Sequence, residues 1–371
     1  MATQDVVHGF NDAIRFGIVG PGKVGQLHAD ALARIPEARL VAVAGLSAAR
    51  SGALAAAHHA RVDPSLDVMV RRGGIDALIV CTPHPLHCEQ AVAAARAGLH
   101  VVVEKPMALS PEDCELMISA ADEAGVVLSI ISQRRWYEPV RRVKDAIDGG
   151  RIGIPGLATV EMLGWRGPEY YAMDAWRGTA AGEGGGVLVN QAIHQLDLLV
   201  WFLGAATEID GWIANVNHPE IEVEDSAVAI VRFASGAMAT IVASNSQRPG
   251  LYARIHVHGQ TGASIGVETD GGSVFVAGVS LPSLPRNDLW TIPGEGANPE
   301  LWSAGDRAAL ADVDIASHYH ELQLRDVVGA IRERRLPAVT GQDGLKSVEL
   351  MAGIYRAARS GQRVRLPAGG A

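Results

Sequence analysis

Between Ile14 and Ser132, short apolar runs alternate with helical patterns: IRFGIVG, QLHADALARIP, RLVAVAG, a further helix, IDALIVC, EQAVAAARAG and HVVVEK. Repeated βαβ units of this kind require a parallel sheet with helices on both faces, and they place any ligand at the C-terminal ends of the strands. The first junction, FGIVGPGKVGQLHADAL, sets Gly20, Gly22 and Gly25 in G-x-G-x-x-G spacing directly after a strand and at the opening of a helix. The first glycine allows the tight turn, the second lets backbone approach a pyrophosphate, and the third permits close helix packing. The helix N-terminus attracts the anion. Leu27, Ala31 and Ile35 recur four apart and supply the face that docks on the sheet. The expectation is a doubly wound Rossmann domain over 14–134 whose loop, Gly20 to Gly25 with Pro21, Lys23 and Val24, cradles a dinucleotide.

The second strand of such a domain normally ends in an acid that binds the adenosine ribose hydroxyls. In RLVAVAGLSAARSG the place falls on Gly45, followed by Ser47 and Arg50. A hydroxyl and a guanidinium without an acid suit a 2'-phosphate, so NAD(P) is expected with a lean to NADP. The other reading makes Arg50 an ordinary solvated helix residue and the cofactor NAD. Further along, SPEDCELMISAADEAG reads as a packing helix with Ser110 as cap, Pro111 at the first position, Asp113 in a capping-box-like start and Gly125 as terminator.

Beyond residue 134 the pattern becomes β-rich. AVAIVRF and AMATIVA flank Ser235-Gly236, and GASIGVE and GSVFVAG flank Asp270-Gly271-Gly272, as hairpins of an open, largely antiparallel mixed sheet. Residues 278–299 read as a loop. Helical patterns return at HYHELQLRDVVGAIRER and at GLKSVELMAGIYRAARSG, where Gly361 can terminate. The division expected is a loose tail over 1–13, the Rossmann domain, and an α+β domain for substrate and oligomerisation over 135–371, whose last helices can pack back on the first domain. A net charge of -9 with no basic run argues against nucleic acid. Three cysteines without CxxC spacing, no leader-like start and no eighteen-residue apolar run are read as a soluble, cytoplasmic protein away from membranes.

The stretch GGGVLVNQAIHQLDLLVWFLG, 184–204, reads as one amphipathic helix. At about 100° per residue, His194 falls about 40° to one side of Asn190 and Asp197 about 20° to the other, forming a polar stripe, while Ile193, Leu196, Val200 and Leu203 form a separate apolar face. A packing helix has no need of that stripe. His84, His87 and Cys88 have no second ligand pair at metal spacing, so no metal is expected. Trp165, Arg166, Tyr170, Tyr171, Trp176 and Arg177 precede the glycines and suit the C–H patches and hydroxyls of a sugar or polyol.

Five motifs in order, GPGKVG, CTPHPLH, EKP at 104–106, WRG at 176–178 and GGGVLVNQAIHQLDLL, make the chain resemble the glucose-fructose oxidoreductase/inositol dehydrogenase/MocA (Gfo/Idh/MocA) family over nearly its whole length. The resemblance implies hydride transfer between nicotinamide and a secondary alcohol or carbonyl of a sugar, inositol or polyol. It implies that Lys105 projects into the site and that Glu104, Pro106, Thr82, Pro83 and His87 lie along the cofactor. Trp176 and Arg177 would reach back from the second domain, and His194 would be the acid–base group. Relatives often carry aspartate one turn before that histidine; here it is Asn190, which cannot take a proton but can position a hydroxyl. Arg166, Tyr171 and Asp197 complete the expected supporting set, although Asp197 can equally brace structure. The residues themselves support Lys105 as a partly desolvated donor to a forming alkoxide. Two alternatives stay open: a glycosidase working by transient oxidation and elimination on held NAD, and a cofactor-binding regulator without turnover. An open sheet face and the family resemblance lead us to expect a homodimer or homotetramer.

Overall fold

In the computed structural model, the described residues are 13–271, 284–296 and 298–366. The first domain runs β1 (Ile14–Val19), α1 (Lys23–Leu32), β2 (Ala38–Ala44), α2 (Ala48–Ala57), β3 (Arg61–Asp63), α3 (Leu66–Arg72), β4 (Ala77–Val80), α4 (His87–Arg96), β5 (His100–Val103), α5 (Pro111–Ala124) and β6 (Leu128–Ile130). Its strands form a parallel six-stranded sheet in the order β3-β2-β1-β4-β5-β6, the doubly wound arrangement expected. Strand β4 and the last three residues of β5 are buried apolar runs because helices cover both their faces. Helix α5 starts and stops as its sequence dictates: the Ser110 hydroxyl accepts from the Asp113 N–H, Pro111 opens the helix, and Gly125 ends it at φ +65°.

The second domain contains α6 (Glu138–Asp148), β7 (Pro155–Leu163), α7 (Pro168–Tyr171), α8 (Ala180–Glu183), α9 (Val187–Asn190), α10 (Ile193–Leu203) and β8 (Ala206–Ala214). It continues through β9 (Ser226–Phe233), β10 (Met238–Ser244), β11 (Tyr252–Gly259), β12 (Ser264–Gly271), β13 (Arg286–Trp290), α11 (Pro299–Ala309), α12 (Ile315–Glu333), α13 (Gly341–Ser360) and β14 (Val364–Arg365). The eight-stranded sheet has the order β13-β12-β11-β7-β10-β9-β8-β14, antiparallel except where β10 runs parallel to β7. Residues of β9 alternate between buried and exposed, so one sheet face packs on helices and the other is open. Among the residues on strands of the open face, Trp212, Val228, Ile230 and Met238 are exposed.

Helix α12 returns to the first domain. Its Leu324, Val327 and Val328 share a core with Phe16, Ile18 and Leu32, and its Glu321 and Ser317 accept from Arg34, just after α1. Three sequence expectations need correction. The stretch read as a loop over 278–299 contains β13, which pairs with β12, its Asn287 amide donating to the Gly266 carbonyl. Asp270 and Gly271 belong to β12 and form no turn there, and the strand expected after them lies outside the described residues. The third correction concerns the stretch 184–204 and bears directly on the site. Among the described residues no single helix is long and apolar enough to cross a membrane.

Candidate active site

The glycine loop has the shape a dinucleotide needs. Gly20 sits at φ +97°, and a Cβ there would lie 2.4 Å from the Cys81 carbonyl oxygen. A Cβ on Gly25 would lie 2.4 Å from the Gly20 oxygen, so the third glycine lets α1 start hard against the turn. At Gly22, the N-cap of α1, a Cβ would meet nothing within 4 Å, no side chain caps the helix, and no acid stands in its first turn. Open space before uncapped amides is what a pyrophosphate requires, so these residues fit a nicotinamide dinucleotide. The loop carries Pro21, Lys23 and Val24 as expected, and Pro21 packs against the end of β2, where a Cβ on Gly45 would be 2.2 Å from its ring. Ser47 caps α2 by accepting from the Arg50 N–H, which commits its hydroxyl to the helix.

Lys105 follows β5, joined to Pro106 by a cis peptide bond. Its ammonium donates to the Asn190 carbonyl at 2.9 Å. Burial brings its pKa down to about 8, with the charges of Arg134 and Arg166 adding to the effect and Glu104 opposing it. Glu104 points the other way: one carboxylate oxygen lies 2.7 Å from His28 Nε2, and the second accepts the Lys105 backbone N–H at 3.1 Å. Although burial opposes it, the His28 hydrogen bond and charge bring the Glu104 carboxyl down to about 2. His320 of α12 completes a buried group with His28 and Glu104 whose donor atoms all lie within 4.8 Å of one another. Neither histidine belonged to the expected set. The cluster ties α1, β5 and α12 together beneath Lys105, and Glu104 serves there as an anchor.

Thr82 donates to Gln90, and Pro83 opens a 3-10 turn, His84–Leu86. His87 is fully buried with its two ring nitrogens each 2.9 Å from a carbonyl, those of Pro106 and Thr82. It clamps the two loops that end β4 and β5. Burial lowers its pKa, so the neutral ring donates to one carbonyl at a time.

The stretch 184–204 is broken. The helical run Ala180–Asn190, which ends in α9, meets α10 at 50°, and the Ala192 N–H bonds to the Val187 carbonyl five residues back. That extra residue in the turn is a π-type break, a feature common at functional sites. Gln191 at the break accepts from Asn245 and donates to the Tyr170 hydroxyl, contacts that pull it off the helical path. Asn190 therefore shares no helical stripe with His194. Its backbone carbonyl holds Lys105, while its side-chain amide donates to the Tyr170 hydroxyl and to Glu183. The separate apolar face also needs correction, since α10 is buried almost all round, Gln195 and Asp197 included. The leading glycines are explained by crowding: a Cβ on Gly186 would lie 1.7 Å from the Glu224 carbonyl oxygen, and one on Gly185 would lie 2.3 Å from the Tyr355 hydroxyl.

His194 and Lys105 line one narrow cavity with Ser132, Asp197 and Ser347. Burial, with the charges of Arg134, Lys105 and His320, pushes His194 well below the usual histidine range. It is a neutral base at physiological pH. Asp197 is bound bidentately by Arg135 at 2.7 and 2.9 Å and accepts from Ser347, which makes it a brace.

The aromatic loop forms the wall. Arg177 donates to the Tyr170 hydroxyl at 2.6 Å and stacks 4.5 Å from both the Tyr170 and Trp176 rings. Arg166 is buried with its guanidinium 4.9 Å over the Tyr170 ring, and Tyr171 packs edge-on against His218. Glu183, Glu224 and Arg134 were not singled out from sequence. Glu183 accepts from the Gly178 N–H, Glu224 accepts from Gly186 and Leu188, and Arg134 bonds Thr269 and Asp270. Their partners lie between 5 and 136 residues away in sequence, so only a GEGGG pattern near WRG could have drawn notice to Glu183.

A glycine cradle at the ends of parallel strands, with a lysine and a neutral histidine beyond it, defines an oxidoreductase on an NAD-binding Rossmann fold. Known proteins narrow this. Residues 14–132 match the family described as "Oxidoreductase family, NAD-binding Rossmann fold" and 140–265 match "GFO/IDH/MocA C-terminal domain". The chain belongs to the Gfo/Idh/MocA family. It is similar to the WlbA dehydrogenase of Bordetella pertussis, solved in complex with NADH and UDP-GlcNAcA, at 34% identity and TM-score 0.81, over 96% of this chain and 99% of that one. It is also 33% identical to an inositol 2-dehydrogenase of Rhizobium meliloti, over 67% of this chain and 74% of the relative. A 1,5-anhydro-D-fructose reductase of Ensifer adhaerens is 28% identical, over 96% and 99%.

Proposed function

We propose that this protein transfers hydride between a nicotinamide cofactor and a secondary alcohol or carbonyl on the ring of a sugar, inositol or related polyol. The observation that carries this reading is the convergence of Lys105 and His194, both with depressed pKa values, on one cavity past the strand ends. When bound, the nicotinamide supplies the hydride acceptor or donor. Gly20, Gly22 and Gly25 would hold the pyrophosphate, and the wall of Tyr170, Trp176 and Arg177 would shield the reacting face from water. In oxidation, neutral His194 takes the hydroxyl proton at its unprotonated ring nitrogen and charged Lys105 stabilises the developing alkoxide; in reduction Lys105 polarises the carbonyl oxygen and protonated His194 returns the proton to it. Asn190 acts through its backbone carbonyl, which orients Lys105.

The partners of Arg50 bear on the cofactor. Its guanidinium lies 3.6 Å from the Asp174 carboxylate, which weakens the case for a 2'-phosphate there, and we propose NAD. The substrates named for the relatives, inositol and UDP-GlcNAcA among them, support a polyhydroxylated ring. Three free thiols support a reducing, cytoplasmic setting, and the open apolar sheet face supports a homo-oligomer.

The test is single-turnover hydride transfer, followed at the reduced-nicotinamide absorbance, across a panel of inositols, sugars and nucleotide sugars. With the substrate so found, His194→Ala and Lys105→Ala should each slow transfer by about 10²–10⁴-fold. Near wild-type transfer in either variant removes that residue from the chemistry.

A further inference from the structure

Rossmann domains hold the adenosine ribose with a carboxylate at the end of the second strand. Here β2 ends at Ala44, Gly45 is packed against Pro21 of the glycine loop, Leu46 is fully exposed, and Ser47 is used as a helix cap. No carboxylate follows the strand in this segment. One reaches the neighbourhood from the other domain. Arg50, in the first turn of α2, extends to Asp174 in the loop after α7, with Nη2 and Oδ1 3.6 Å apart. The second Asp174 oxygen faces Arg177 Nε at 3.4 Å, and Arg177 is itself fixed between the Tyr170 and Trp176 rings. Asp174 is therefore held by the wall of the active site while it reaches across to the adenosine side of the first domain. The Arg50 side chain is 63% exposed and that of Asp174 is 27% exposed, so both remain accessible to a ligand lying along the loop.

We propose that Asp174 supplies, from the second domain, the carboxylate missing after β2, and that it sets the preference of this protein for NAD over NADP. This rests on the reading of the chain as a nicotinamide-dependent oxidoreductase. A carboxylate in this position does three things at once. It accepts hydrogen bonds from ribose hydroxyls, it neutralises the Arg50 guanidinium that would otherwise attract a 2'-phosphate, and it repels a phosphate carrying about 1.5 to 2 negative charges. Because the carboxylate comes from the substrate domain, cofactor choice is tied to the placement of the aromatic loop.

The experiment needs no substrate. Dissociation constants for NADH and NADPH are measured by fluorescence titration of the wild type, Asp174→Asn, Asp174→Ser and the double variant Arg50→Ala/Asp174→Asn, with thermal melts to confirm folding. Wild type should bind NADH more tightly. Asp174→Asn and Asp174→Ser should each tighten NADPH by roughly tenfold and weaken NADH by roughly three- to tenfold through the lost ribose hydrogen bonds, and adding Arg50→Ala should remove the NADPH gain. An unchanged NADPH/NADH ratio in both single variants, or a gain that survives loss of Arg50, overturns the proposal while tight NADH binding leaves the oxidoreductase reading intact. If the wild type binds neither cofactor, both fall together.

Discussion

At the scale of single residues, the site depends on keeping Lys105 charged and His194 neutral in the same enclosed space. Burial depresses both, but with opposite consequences: His194 becomes available as a base, and Lys105 comes close to losing its proton, at about 8. For Lys105 the sign is direct. Its charge, and with it the stabilisation of an alkoxide, is complete below that value and is lost as pH rises through it. We expect kcat/KM for alcohol oxidation to fall above a pH of about 8, with no acid limb near 6.5 from His194. Lys105→Arg retains the charge at every accessible pH, so it should abolish the alkaline limb even if its absolute rate is lower. A pH–rate profile of the two proteins decides this; a limb that persists in Lys105→Arg belongs to another group. These residue types were legible in the sequence because EKP and the histidine stand in recognisable runs. Their surroundings were not, since Arg134 and His320, which tune them, lie between 29 and 126 residues away in sequence.

At the scale of elements, local chemistry explains what was readable. The β1–loop–α1 unit, the Ser110 cap and the Gly361 terminus all rest on side chains within a few residues of one another, so periodicity and cap signals suffice. The break between α9 and α10 is invisible by the same standard: a helical wheel continues smoothly through Gln191, and only contacts with Tyr170 and Asn245 divert it. The role of Asp197 is hidden from sequence for a similar reason, its partner Arg135 being 62 residues away. That pair makes a clear prediction. Replacing a buried carboxylate leaves its guanidinium partner desolvated, and such losses run to about 3–5 kcal/mol. Arg135 keeps Asp343 at 3.4 Å, so Asp197→Asn should cost nearer about 3 kcal/mol in urea denaturation. If Asp197 instead charge-supports His194, the variant will keep its stability and lose hydride-transfer rate.

At the scale of the whole molecule, the two domains are joined by more than the chain between them. Helix α12 completes the core against α1, and Lys105, Asn190, Tyr170, Arg177, Asp174 and Arg50 form a polar chain that crosses from the first domain to the second and back. What this chain leaves unsatisfied is the outer face of the second sheet, where β8, β9 and β10 expose Trp212, Val228, Ile230 and Met238 among charged neighbours. Alternating strands showed from sequence that one set of side chains faces outward, but pairing order was needed to bring these four onto adjoining strands. Exposed apolar clusters of this kind mark association surfaces, and a self-complementary sheet face suits a second copy of the same chain about a two-fold axis. Placing a charge at its centre should separate the copies without disturbing the fold, because an outward strand position contributes little to the core. Ile230→Lys with Trp212→Lys should therefore convert a dimer or tetramer to smaller species in analytical ultracentrifugation, with the reduced-cofactor dissociation constant changed by less than about threefold. An unchanged sedimentation coefficient would move the association surface elsewhere, and a monomeric wild type would remove it.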